Sequence, residues 1–139
     1  MDRRDFIRKS LVLGIGITGA VAFIESCKKS NSAPAAPNVD FTIDISTSQY
    51  NALQSNGGSV YYSSQNIIIA RDNAGNFVAL YGLCPHASCS VQFDGANKFP
   101  CPCHGSLFDE SGNVLWGPAT SGLKKYNTSL NGTKLRVYG

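Results

Sequence analysis

Two short stretches hold nearly all of the thiols and imidazoles of this chain. The first reads Cys84-Pro85-His86-Ala87-Ser88-Cys89 and the second Cys101-Pro102-Cys103-His104-Gly105-Ser106. Each sets one thiolate near one imidazole, as C-x-H in the first and C-x-x-H in the second. Both histidines of the chain and four of its five cysteines fall here. Residues 87–100, between His86 and Cys101, have the length of a strand, a turn and a return strand. Such a hairpin brings both loops to one end of a sheet. Two thiolates and two imidazoles suit a tetrahedral zinc ion. They equally suit a 2Fe-2S cluster with the thiolates on one iron and the imidazoles on the other. Spacing alone does not choose. A purely structural disulfide knot leaves both histidines without a role.

The two stretches resemble the cluster-binding boxes of the Rieske family, in the disulfide-containing form found in cytochrome bc complexes. That pattern is C-x-H-x-x-C followed by C-P-C-H-G-S, and every fixed position is matched. The resemblance selects iron–sulfur over zinc. It implies that Cys84 and Cys101 ligate one iron of a single 2Fe-2S cluster, and His86 and His104 the other. It further implies a disulfide between Cys89 and Cys103 that ties the loops together. Gly117-Pro118-Ala119 is similar to the family's proline loop, which makes Gly117 and Pro118 the cluster lid; Thr120 stands where the family commonly has Pro. Ser106 matches a serine that hydrogen-bonds a bridging sulfide. Phe108 stands where high-potential members carry Tyr, so that hydroxyl donor is missing here. The plainer readings are that Ser106 satisfies its turn and Phe108 packs the core. Gly105 is expected to serve a tight backbone approach.

Replacing two thiolates by neutral imidazoles removes two negative charges from the coordination shell and raises the reduction potential above that of all-cysteine clusters. A nearly neutral site sits in a dry pocket at little desolvation cost. The sequence agrees, since Asp94 and Lys98 are the only charged residues between Gly82 and Phe108. Imidazoles at an exposed tip also couple electron uptake to a proton from a donor. With Ser106 present and Tyr absent, the expected potential lies above plant-type ferredoxins and below the highest Rieske centres. That range suits menaquinol better than ubiquinol.

The elements that must position these loops read as β. Val39–Ile45 alternates apolar and polar residues at period two. Strands are predicted at Ser59–Ser63, Ile67–Arg71 and Phe77–Tyr81, with a short helical turn in Ser48–Ser55. Val91–Phe93 and Lys98-Phe99 flank a turn between the loops, followed by Leu107-Phe108 and Val114–Trp116. Lys124–Leu130 and Lys134–Tyr138 form a closing hairpin through Asn131-Gly132. The fold class is all-β: a small antiparallel β-sandwich, Rieske-like, with the two cluster loops as a subdomain at one tip. The resemblance covers roughly Val39 to Tyr138, within a domain read as residues 39–139.

The 139-residue chain suits one domain, and its 14 Gly and 6 Pro favour turns over long helices. The net charge of +3 is too small to argue for nucleic acid, and Arg3, Arg4, Arg8 and Lys9 crowd the N-terminus. Those arginines precede the apolar run Leu11–Ile24, whose 14 residues suit a signal peptide better than a membrane span. Residues 1–27 therefore resemble a twin-arginine export signal. Cys27, after Ile24-Glu25-Ser26, resembles a lipoprotein processing site, with Glu25 departing from the usual small residue. An acylated Cys27 would hold the protein at a membrane surface; the alternative is an uncleaved N-terminal anchor. Residues 28–38 read as a flexible tether.

The expected function is electron transfer at the outer, or periplasmic, face of the cytoplasmic membrane. The chain would be the iron–sulfur subunit of a quinol–cytochrome c reductase-like complex, with quinol and cytochrome b/c-type redox partners. The alternatives are the small Rieske subunit of another exported oxidoreductase, such as arsenite oxidase, and a free-standing lipid-anchored carrier. An oxygenase-type domain is disfavoured, because it lacks the disulfide cysteines and accompanies a catalytic domain. No catalytic triad, carboxylate pair or nucleotide loop suggests catalysis by the chain alone.

Overall fold

The computed structural model describes residues 34–85 and 88–139. The expected export signal (1–27) with the Cys27 lipidation site, tether residues 28–33, and His86 lie outside the described residues. Nine strands follow in order: β1 (Asp40–Asp44), β2 (Ser59–Tyr62), β3 (Ile67–Arg71), β4 (Phe77–Tyr81), β5 (Phe99–Pro100), β6 (Leu107–Phe108), β7 (Val114–Trp116), β8 (Lys125–Asn131) and β9 (Lys134–Tyr138). Among the described residues the only helical piece is a 3-10 turn at Asn51–Gln54, and no helix is long and apolar enough to cross a membrane.

The expected all-β antiparallel architecture is present. Six strands form one sheet in the order β1-β9-β8-β4-β3-β2, and β5-β6-β7 form a second, smaller sheet. The larger sheet curls on itself. Strand β8 pairs with β9 over five residues and with β4 over only two, Ala79 with Tyr126 and Leu80 with Lys125. Across that narrow join, Ile43, Leu135 and Val137 from one half meet Ile67, Ile69 and Ala79 from the other in a single core.

The runs Ile67-Ile68-Ile69-Ala70 and Val78-Ala79-Leu80-Tyr81 do not alternate with polar residues, because both faces of β3 and β4 are covered. Ile67, Ile69, Ala79 and Tyr81 point into the core under the curl. Ile68, Ala70, Val78 and Leu80 point into a second core with Cys84, Val91, Phe99, Cys101, Phe108, Ala119 and Leu123. That second core is the floor of the two loops. Burying a Leu, Ile, Val or Phe side chain contributes roughly 1.5–3 kcal/mol, so the ligand loops stand on one of the most strongly packed parts of the domain.

Three local details differ from the sequence expectation. The last turn is Gly132-Thr133 rather than Asn131-Gly132, because Asn131 pairs with Lys134 inside the ladder; Gly132 has φ +62 and Thr133 has no positive φ, the type II′ φ pattern. Val91–Phe93 is not a ladder strand. It is held by two backbone bonds, Val91 N–H to the Gly82 carbonyl at 2.8 Å and Gln92 N–H to the Pro100 carbonyl at 2.9 Å. The final residues of the 28–38 segment are fixed on the domain: Tyr126 donates its hydroxyl to the Pro37 carbonyl at 2.8 Å. Lys124 Nζ donates to the Asn38 side chain at 2.6 Å. Burial, with Tyr81 adding to it, pushes the Tyr126 hydroxyl pKa up to about 12, so this donor keeps its proton at neutral pH.

Candidate metal centre

The described residues of the two loops close in the same way. In the first, Cys84 N–H donates to the Cys89 carbonyl at 2.8 Å and Ser88 N–H to the Cys84 carbonyl at 2.9 Å. In the second, Cys101 N–H donates to the Ser106 carbonyl at 2.7 Å and Gly105 N–H to the Cys101 carbonyl at 3.0 Å. Each loop is thus a six-residue turn closed at the first and sixth positions, with the fifth residue in the left-handed region: Ser88 at φ 52 and Gly105 at φ 77. The first cysteine of each loop occupies the same place, at the neck. Cys84 and Cys101 are thiols, each 1% exposed. His104, in the middle of the second loop, is exposed.

A disulfide joins Cys89 to Cys103, with Cα atoms 6.4 Å apart. It runs from the last position of one loop to the third position of the other. The four cysteines of the two motifs therefore divide by burial. Two thiols sit on the core, and two sulfurs cross-link the loops where Cys103 is exposed and Cys89 partly so.

Residues 117–119 close on the second loop. A Cβ on Gly117 would lie 2.5 Å from Ser106 Cα and 2.9 Å from the Gly105 carbonyl oxygen; only glycine allows this contact. Ala119 N–H donates to Ser106 Oγ at 3.1 Å across the same seam. Ser106 is fully buried. Its oxygen accepts from Ala119, which leaves its own O–H available to donate. The lid bond of Ala119 was missed in the sequence, where a main-chain donor carries no residue signature. Pro118 is exposed and Ala119 buried.

Gly105 has a different reason from the one expected. Its positive φ favours glycine, and among the described residues nothing beyond its chain neighbours lies within 4 Å of a Cβ built there. The tight approach belongs to Gly117. Phe108 is fully buried in the floor core, beside the fully buried Phe99, and so has a packing role.

The donor chemistry fits an iron–sulfur cluster. Buried thiols on an apolar floor suit the sulfur-rich side of such a group, and an exposed imidazole suits the side that meets a partner. Among the described residues, no three His, Cys, Asp or Glu side chains converge as for a single ion; a two-iron cluster asks for only two ligands at each metal. Asp109, in the turn before β7, accepts from Ser111 N at 2.8 Å and Asn113 N at 2.9 Å. Its burial alone would raise its pKa, and these donors together outweigh that and hold it low. It stays an anion locked in its own turn.

The Rieske 2Fe-2S domain family matches residues 44–127. The cytochrome b6-f complex iron-sulfur subunit of Chlorobaculum tepidum is 26% identical over 137 residues, covering 98% of this chain and 75% of that protein. Among solved structures, the cyanobacterial plasma membrane Rieske protein of Synechocystis PCC 6803 superposes with a TM-score of 0.54 at 31% identity, over 66% of this chain and 95% of that one. The ferredoxin of carbazole 1,9a-dioxygenase from Nocardioides aromaticivorans shares the fold at 22% identity and a TM-score of 0.53, over 60% of this chain and 86% of that one. The family match spans both loops, their floor and the lid, and on it this chain is a member of the Rieske 2Fe-2S family that carries one 2Fe-2S cluster.

Proposed function

We propose that the chain is the iron–sulfur subunit of a quinol–cytochrome c reductase-like complex, taking electrons from quinol and passing them to a cytochrome. One observation carries the reading: the cysteines at the loop necks are buried on the core while His104 stands exposed at the tip. A group held between them is shielded on its thiolate side and open on its imidazole side. The relatives named as cytochrome b6-f iron-sulfur subunits support the type of complex.

The proposed ligands are Cys84 and Cys101 on one iron, His86 and His104 on the other. A 2Fe-2S cluster held in this way accepts and returns one electron at a higher potential than an all-cysteine cluster. The residues do the rest. The disulfide and the lid hold the loops closed and keep water from the thiols. Ser106, its oxygen already engaged by Ala119, directs its proton as a donor. Phe108 offers no such donor, and on this ground menaquinol is the favoured quinol. The protein would act on the outer side of the cytoplasmic membrane, held there through acylated Cys27 or an N-terminal anchor.

The experiment is EPR and iron–sulfide analysis of the purified protein, followed by redox titration. Equal iron and acid-labile sulfide are expected, with an average g below that of all-cysteine clusters. Ser106→Ala should lower the potential and Phe108→Tyr raise it, each by tens of millivolts, given roughly 59 mV per tenfold change for one electron. Stoichiometric zinc in iron-replete protein would overturn the reading.

A further inference from the structure

We propose that Asn131 is a site of spontaneous modification, deamidating through a succinimide to aspartate and isoaspartate. The chain's other Asn-Gly pair, Asn56-Gly57, is protected by the fold. This inference stands apart from the cluster and does not rest on the function proposed above. Asparagine is among the thermolabile residues, and a following glycine has no side chain to crowd its own nitrogen or restrict its backbone. The glycine nitrogen, on losing its proton, attacks the asparagine side-chain carbonyl carbon. A carbon–nitrogen bond forms, the side-chain amide bond breaks, and the displaced proton leaves on ammonia. Water then opens the five-membered ring at either carbonyl, giving an aspartyl or a β-aspartyl link. Water is the only co-reactant, and nothing is oxidised or reduced.

Exposure does not separate the two sites, since both asparagines face solvent. The attacking nitrogen does. Gly57 N–H donates to the Arg71 carbonyl at 2.7 Å, and Asn56 Nδ2 donates to the Asn73 carbonyl at 3.2 Å. Nucleophile and target are both held there. Gly58 N–H to the Ser55 carbonyl at 3.1 Å and Arg71 N–H to the Gly58 carbonyl at 2.8 Å fasten the same segment further. At the second site, among the described residues, Gly132 N–H has no acceptor and the Asn131 side chain no partner. No described atom beyond its chain neighbours lies within 4 Å of a Cβ built on Gly132. Asn131 is the last rung of β8, opposite Lys134, while the far side of the turn is pinned by Ile45 N–H to the Thr133 carbonyl at 3.0 Å. A rung at a hairpin end opens readily, and opening lets the Asn131 side chain swing to the free nitrogen. The product sets a carboxylate opposite Lys134, which already pairs with Asp44 at 2.8 Å. A β-aspartyl link also adds a methylene to the main chain at that rung. Strand β8 meets β4 at its other end, through Lys125 and Tyr126, roughly 20 Å away at about 3.4 Å per residue. The change therefore falls well away from the floor of the ligand loops.

The test holds the full-length holoprotein in mildly alkaline buffer at physiological temperature. Peptide mapping by tandem mass spectrometry follows amide-to-acid conversion at both sites, and enzymatic methylation of the same peptides reads isoaspartate. Asn131 should convert at least about tenfold faster than Asn56, a ratio equivalent to about 1.4 kcal/mol. Its rate should rise in proportion to hydroxide. In urea, with the fold gone, the two rates should converge. Asn131→Asp, which fixes the aspartyl product, should keep the EPR signal and potential of the cluster. Equal or reversed rates in the folded protein overturn the proposal, as does a folded protein that converts at neither site while the unfolded chain converts at both. A preference of the same size in urea also overturns it, because the residues after each glycine, and not the fold, would then set the rate. A shifted EPR signal in Asn131→Asp overturns the placing of the change away from the cluster.

Discussion

The two ligand loops share a closure, as far as their described residues show it, and differ in almost everything else. Each closes through the same pair of hydrogen bonds, places its first cysteine on the core and turns left-handed at its fifth residue. Yet the cross-linking cysteine is sixth in one and third in the other, and the left-handed residue is Ser88 in one and Gly105 in the other. Their supports differ as well. The first loop extends β4, through the Leu83–Ser90 bridge and the 2.8 Å bond from Val91 N–H to the Gly82 carbonyl. The second is held by the lid, through Gly117 and the Ser106–Ala119 bond. The fold therefore fixes a shape twice, and the sequence sets different chemistry on each copy. Above their shared floor, the loops are joined covalently at one described point, the Cys89–Cys103 disulfide.

Removing a neck cysteine gives the largest expected effect. Cys84→Ser and Cys101→Ser occupy equivalent positions, so each should abolish the cluster, as should His104→Ala. Iron content and the visible spectrum after purification decide this. A Cys84→Ser protein that keeps its cluster while Cys101→Ser loses it would break the equivalence of the loops.

The disulfide comes next. Closing a loop of about 15 residues stabilises a domain by roughly 3 kcal/mol in the chain-entropy model, and here the sequence separation is 14. Cys89→Ser and Cys103→Ser should both assemble a cluster and then bleach faster in air, by the same factor, because each removes the same link. Alkylation of the oxidised protein without reductant should leave Cys89 and Cys103 unmodified in mass spectra. Unequal bleaching would show that one loop is held well enough by its own support.

How much of this was legible in the sequence follows from what each residue type can signal. The ligand boxes were visible because Cys and His are scarce and have few structural uses at such spacing. The strand order was not, since it depends on which edges meet, and Ile67–Ala70 reads as buried on both faces without saying against what. The last hairpin turn was placed one residue early because Asn-Gly is a strong turn signal, while the register of β8 with β9 overrode it. The hold on Pro37 escaped notice because its acceptor is a main-chain carbonyl. Tightness at Gly105 was inferred from a glycine that is there for its φ, and the truly crowded glycine is Gly117.

That distinction gives the third prediction. Gly117→Ala places a methyl against Ser106 backbone atoms at a residue with φ +98. Overpacking typically costs about 1–3 kcal/mol, and a left-handed L-residue about 1–2 more. Gly105→Ala meets no described residue beyond its chain neighbours and should incur the conformational cost alone. Urea denaturation of the two holoproteins should rank Gly117→Ala as the more destabilised by at least about 1 kcal/mol. Gly117→Ala should also shift the potential, because it moves Ser106, whereas Gly105→Ala should do so far less. Equal losses would mean that the lid yields to the added methyl and contributes little to loop two.

The smallest effect is expected at Ser88, where the shared left-handed position is occupied by the less suitable residue. An L-residue in the left-handed region costs about 1–2 kcal/mol, less for short polar side chains that bond locally. Glycine removes that cost and loses roughly 0.5–1 kcal/mol to its greater freedom in the unfolded chain. Ser88→Gly should therefore stabilise the protein by on the order of 0.5 kcal/mol, raising Tm by about 2–4 °C for a domain of this size. Gly105→Ser, the reverse exchange at the same position, should destabilise by a similar or larger amount. Neither residue is among the four proposed ligands, so the EPR signal should persist in both proteins, and an unchanged urea m-value would confirm that only the folded balance moved. If Ser88→Gly is destabilising instead, its hydroxyl holds the first loop in place. The likeness of the two loops would then have two separate causes, a side-chain contact in the first and a glycine in the second.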